Sequence, residues 1–175
     1  MATTIRRGAL AAVLVLTLAP GAATPAVVAA PGGSLVAGYE PVALLTGDRL
    51  ATALPSFGAV MGYEPEMVTL AGSAAPRAVK PAGSCSSPLG GTPFGFTPAC
   101  KAHDLGYDLL RYAARTGTPA GPGVRQVLDR RFEADLHAHC AATRTGLARR
   151  VCDRFAGLYA KVAALNSWRQ RYGVP

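Results

Sequence analysis

Histidine is scarce in this chain, with three among 175 residues, and that scarcity limits the metal chemistry open to it. A metal-dependent phosphohydrolase built on the dipeptide His103-Asp104 needs further His and Asp ligands spread over a larger helical domain. Only His137 and His139 remain. Together with Cys140 they make an incomplete zinc set at an unusual spacing. Long apolar runs are also lacking: after Leu18 no stretch approaches the roughly 20 apolar residues that a membrane-spanning helix requires. Acidic side chains are few, 10 Asp and Glu against 18 Lys and Arg, for a formal charge of +8. Such an excess favours anionic partners: acidic lipid headgroups, cell-wall polymers or nucleic acid. The arginines, however, are dispersed over Arg125, Arg130, Arg131, Arg144, Arg149, Arg150 and Arg154, without the aromatic interleaving that stacks bases. Nucleic acid is therefore not an expected partner.

What is present begins with an export signal. Arg6-Arg7 forms a basic start, Gly8 to Leu18 is apolar but too short for a stable anchor, and small residues follow from Ala19 to Ala30. Residues 1–30 read as a signal peptide, with cleavage after Ala23 or Ala29, and the protein is expected to be secreted and monomeric. Losing Arg6 and Arg7 takes the charge from +8 to +6. The remaining chain of about 145 residues suits one domain. Four cysteines in an exported chain imply two disulfides with three pairings open. Joining neighbours, Cys85 to Cys100 and Cys140 to Cys152, is the simplest.

Residues 31–80 are rich in Gly, Pro and Ala and poor in charge, and are expected to form an irregular extension, loosely packed or partly disordered. Within them 42–45 and 50–54 suit short strands or one irregular helix. Gly-Tyr-Glu-Pro occurs at 38–41 and again at 62–65, which duplicated turn chemistry explains. Residues 81–98 carry Pro88, Gly90, Gly91 and Gly95 and are predicted to be a loop, pinned by Phe94 and Phe96. Its backbone oxygens and amides suit cation coordination or oxyanion binding. Three helical patterns follow in 81–175. Ala99 to Ala114 aligns Ala102, Leu105, Leu109 and Tyr112. Gly123 to Cys140 aligns Val124, Leu128, Phe132 and Leu136. Ala148 to Trp168 aligns Val151, Phe155, Leu158, Val162 and Leu165. The predicted fold is all-α, a small disulfide-linked core of about three helices.

The densest chemistry is Cys100-Lys101-Ala102-His103-Asp104-Leu105-Gly106-Tyr107. Thr97 suits an N-cap and Pro98 the first helical position, so a helix opens here. Neighbours on a helix point about 100° apart, so His103 and Asp104 serve different partners. One can face a reacting water while the other faces an adjacent loop, as a hydrolase with a histidine base and a bound metal requires. Asp129 shares a helix face with Phe132, Leu136 and Cys140. A carboxylate on such a face needs a partner, either an arginine or His103, whose tautomer it would then fix.

Cys85, Pro93-Phe94-Gly95-Phe96, Ala99-Cys100, His103-Asp104, Gly106-Tyr107, Leu128-Asp129, Phe132, Cys140 and Cys152 together resemble the secreted phospholipase A2 superfamily, closest to its prokaryotic branch. The resemblance implies that His103 is the general base toward water, with Asp129 as its orienting partner. It implies that Asp104 is a calcium ligand, joined by loop carbonyls beside Cys85 such as the backbone of Ser84. The implied reaction is calcium-dependent hydrolysis of the sn-2 ester of glycerophospholipids at a membrane or micelle surface. Tyr107 matches a motif tyrosine that packs rather than reacts. One departure is notable: prokaryotic relatives carry a second calcium-binding Asp where this chain has Gly83, which implies weaker calcium binding. The alternative is a catalytically weak relative that binds membranes or other anionic surfaces.

Overall fold

The computed structural model describes residues 56–86, 92–117 and 119–175. A short helix α1, Phe57–Met61, precedes two antiparallel strands, β1 at Glu66–Val68 and β2 at Arg77–Val79. Glu66 lies opposite Val79 and Val68 opposite Arg77. After a 3-10 turn at Pro93–Gly95 come three long helices: α2, Thr97–Arg115; α3, Pro122–Thr143; and α4, Gly146–Arg169. The helical core expected from sequence is therefore present, with the small sheet as an addition.

The three long helices form because their apolar residues recur at helical spacing, and for α2 and α3 those stripes are the buried faces. Ala102, Leu105, Leu109 and Tyr112 of α2 are all buried, as are Val124, Leu128, Phe132 and Leu136 of α3. Gly106 permits close approach of the two helices: a Cβ there would sit 2.8 Å from Leu128 Cδ2. Both disulfides follow the simplest pairing, Cys85–Cys100 and Cys140–Cys152.

Four readings of the sequence need correction. The stripe Val151, Leu158, Val162 and Leu165 is not the core face of α4; all four are exposed, while Cys152, Ala156, Tyr159 and Ala160 are buried. The bridge from Cys140 to Cys152 turns that second face inward, and its alanines let α4 lie close to α3. The break expected between the helical patterns that end at Cys140 and begin at Ala148 is only residues 144–145, the rest being helix. Thr97 does not cap α2: it lies inside the helix, and its hydroxyl donates to Thr92 Oγ1 at 3.0 Å.

Finally, residues 56–80 are no loose extension. Phe57, Leu70, Ala78 and Val79 are all buried. The Phe57 ring meets Tyr63 edge-on at 5.4 Å and Tyr112 at 5.5 Å. The Lys80 amide donates to the Lys101 carbonyl at 3.1 Å. Only two three-residue strands and one turn of helix are involved, too short for periodicity to reveal. The expected signal peptide and the segments 42–45 and 50–54 lie outside the described residues.

This packing makes a prediction. Phe57→Ala empties a site that is 1% exposed and should lower unfolding stability by about 3–5 kcal/mol. The denaturation midpoint of the purified variant checks it, and an unchanged midpoint would return residues 56–80 to the status of a loose extension.

Candidate active site

Helix α2 carries His103 and Asp104 side by side and Tyr107 one turn on, and α3 brings Asp129 against His103 and Tyr107. His103 Nε2 lies 2.9 Å from Asp129 Oδ1. Tyr107 donates its hydroxyl hydrogen to the same oxygen at 2.7 Å. Burial opposes ionisation of Asp129, but the hydrogen bonds from His103 and Tyr107, with the Ser167 hydroxyl close by, outweigh it and hold the carboxyl below the usual carboxylate range. An ionised carboxylate can only accept. In the neutral imidazole, Nε2 therefore carries the proton and Nδ1 the lone pair. Two rings fix the imidazole plane: Phe132 stacks on it with centroids 4.5 Å apart, and Tyr107 tilts against it at 4.3 Å.

His103 and Asp104 do face different partners. His103 turns to α3, whereas Asp104 Oδ2 accepts the Ser84 backbone N–H at 2.9 Å. Burial raises the Asp104 carboxyl above its usual range, and the Ser84 N–H pulls it the other way. Both side chains border a cleft of about 610 Å³, with Ser84, Ser86, Phe132 and Leu158 among its other walls. Such a volume falls within the range of small-molecule sites.

As a cation site this corner is sparse. Among the described residues no group of three or more His, Cys, Asp and Glu side chains is gathered for a metal. Asp104 and the backbone oxygens of residues 84–86 are nevertheless hard oxygen donors, the kind calcium takes, with a single carboxylate among them. Gly83 also has a steric role. A Cβ there would lie 3.0 Å from Lys101 Cα and 3.1 Å from Asp104 Oδ2. An acid at this position would crowd the helix before it could reach a cation.

Other residues take roles that the sequence reading did not give them. Arg125 and Ser167 are buried beside Tyr107. Neither has a motif neighbour, and Ser167 was hidden at the end of the misassigned α4 stripe. His139 donates through Nε2 to the Phe94 carbonyl at 2.7 Å and meets the Phe96 ring edge-on, tying the loop to α3. His137 pairs instead with Asp153 near the surface. One turn beyond Asp104, Asp108 is 3% exposed. It takes hydrogen bonds from Tyr63 at 2.9 Å and from Arg111, and Lys80 at 2.8 Å completes the cluster.

With that geometry in view, the family comparison is informative. The sequence model of the family described as prokaryotic phospholipase A2 matches residues 78–166, and the chain belongs to that family. The match spans α2, α3 and most of both β2 and α4, including His103, Asp104 and Asp129. Membership supports a phospholipase A2-type hydrolase, an ester hydrolase. Searches of curated proteins and of solved structures return no significant match.

The Asp108 cluster gives a pH prediction. Burial alone would raise this carboxyl; hydrogen bonds from Lys80, Arg111 and Tyr63 outweigh it and lower it below 3.8. A carboxyl depressed in the folded state adds stability above its unfolded pKa, and loses it as pH falls through the folded value. Asp108→Asn should therefore melt lower than wild type at pH 7, with the difference shrinking below pH 3.8. Melting curves across this range test it; a constant difference would mean that the charge of Asp108 is irrelevant.

Proposed function

We propose that the protein is a secreted, calcium-dependent hydrolase of the sn-2 ester of glycerophospholipids, in which His103 activates water under the control of Asp129. The observation that carries this reading is the 2.9 Å contact of His103 Nε2 with Asp129, which leaves Nδ1 as the base in a cleft-lining ring. Water gives its proton to Nδ1 while its oxygen attacks the acyl carbon. Asp129 supports the imidazolium that results. As the ester C–O bond breaks, His103 returns the proton to the departing glycerol oxygen, leaving a fatty acid and a lysophospholipid. Asp104 and backbone oxygens of residues 84–86 would hold the cation. When bound, calcium supplies polarisation of the ester carbonyl and countercharge for the oxyanion.

The position of the cleft supports a membrane surface as the partner. Leu158, Val162 and Leu165 line the cleft mouth, and with Val151 and Trp168 they form an exposed apolar stripe along α4. Arg154, Lys161 and Arg169 are exposed on the same helix. Apolar side chains between cations suit an anionic lipid surface. Among the described residues no helix is long and apolar enough to cross a membrane, so contact would be from one side. Two disulfides agree with an oxidising, extracellular setting.

Two measurements test this. Full-length protein incubated with phosphatidylcholine and phosphatidylglycerol should release fatty acid with millimolar calcium and not with chelator. His103→Ala should lower kcat by about 10²- to 10⁴-fold, and Asp104→Asn should raise the calcium requirement. No fatty acid from either lipid in excess calcium would favour the catalytically weak, surface-binding relative. Separately, His103→Ala protein should partition onto phosphatidylglycerol vesicles more than onto phosphatidylcholine, less so as salt rises. Adding Val151→Ser and Trp168→Ser should weaken that partitioning, and unchanged binding would remove α4 from the contact surface.

A further inference from the structure

Arg125 is 1% exposed, yet among the described residues it forms no ion pair within 4.0 Å. A buried charge without a direct counterion is costly, so its hydrogen bonds show what it is held for. Nε donates to Ser167 Oγ at 2.9 Å, Nη1 donates to the Gly173 carbonyl at 2.8 Å, and the guanidinium lies 4.7 Å over the Tyr107 ring. Ser167, itself 0% exposed, lies 2.8 Å from the Tyr107 hydroxyl.

The proton directions in this chain follow from the donors on either side of it. Arginine can only donate, so Ser167 Oγ accepts from Arg125. The single hydroxyl hydrogen of Tyr107 goes to Asp129. The hydroxyl hydrogen of Ser167 therefore points to the Tyr107 oxygen. All donors run one way, from Arg125 through Ser167 and Tyr107 to Asp129 and the oxygen that holds His103. Hydrogen bonds aligned in series polarise one another, and in a dry interior each is stronger for it.

Arg125, the source of the chain, is held by the C-terminal end. Arg171 and Tyr172 adopt left-handed φ of 52° and 54°, and their amides return to the Trp168 and Ser167 carbonyls, each at 2.8 Å. This turn doubles the chain back so that Gly173 meets Arg125 and the Pro175 oxygen meets Arg111 Nε at 2.9 Å. Ser167 and the turn lie beyond residues 78–166, the part matched by the family.

We propose that Arg125 and Ser167 are positioning residues that act through Tyr107 on Asp129, and that the folded-back C-terminal turn is thereby part of the active site. The proposal rests on the reading of His103 as the base. Ser167→Ala removes one link and little volume. It should lower kcat toward a dispersed short-chain phospholipid roughly three- to tenfold, one hydrogen bond's worth, with KM unchanged. In an Asp129→Asn background, Ser167→Ala should cost almost nothing further, because its route to His103 is already cut. Ser167→Ala losses that multiply with those of Asp129→Asn, or that fall on KM alone, would overturn the proposal. A spectroscopic arm keeps it separate from the activity reading. The His103 Nε2–H proton resonance should be visible in wild type, absent in Asp129→Asn, and broadened or shifted in Ser167→Ala. A resonance identical in wild type and Ser167→Ala would overturn the proposal even if the protein hydrolyses lipid. The expected shift would sustain it even if no hydrolysis is found.

Discussion

The Asp129 carboxylate, buried between α2 and α3, is the constraint around which the site is arranged. A charge there requires donors, and the fold supplies His103 and Tyr107 on one oxygen. Those two residues lie one helical turn apart on α2, so meeting both fixes the rotation of α2 as well as its distance from α3. Gly106, between them, lets Leu128 settle onto the backbone so that the distance is short enough. The packing of the helices and the tautomer of the imidazole are thus one problem with one solution. Removing the acid would cost the core a satisfied polar contact and the histidine its orientation together.

Around that contact the rest of the fold acts as bracing at different depths. The Cys85–Cys100 bridge ties the loop that carries Ser84 to the first turn of α2, and His139 ties its later part to α3. Each bridge closes a short loop and restricts the unfolded chain, worth about 3 kcal/mol in the simplest account. The segment from 56 to 80 braces the opposite side of α2 through Phe57 and the cluster around Asp108. Both ends of α2 are thereby anchored, which suits a helix that bears both His103 and Asp104.

How much of this was legible in the sequence depended on the range of each interaction. The stripes of α2 and α3 were readable because a 3.6-residue period repeats several times in each. The pairing of His103 with Asp129 was readable as one of two options, since a carboxylate on an apolar face must find a partner; the family resemblance chose between them. The inward face of α4 was not readable. Its better hydrophobic stripe points outward, and the true core face is made of alanines, a tyrosine and a half-cystine whose orientation is set by a covalent bond to α3. Residues 56–80 were illegible for the opposite reason: one turn of helix and two short strands carry no period, and only their tertiary contacts give them order.

That inversion of α4 is itself informative about function. Hydrophobic side chains left in water are a standing cost in solubility, and here six of them, from Leu147 to Trp168, run along one helix that borders the cleft. Scattered singly they would need no explanation. Aligned, flanked by cations and adjoining a cleft that holds a histidine–carboxylate pair, they are what the proposed action on an insoluble, anionic substrate would need. Such an enzyme must hold a surface while one molecule of it enters the site. Near the end of the same helix lies Ser167, whose hydroxyl belongs to the chain that reaches Asp129. In the proposed function helix α4 would present its apolar side to the lipid while Ser167 meets the Tyr107 hydroxyl beside Asp129, so that one rigid element joins the two.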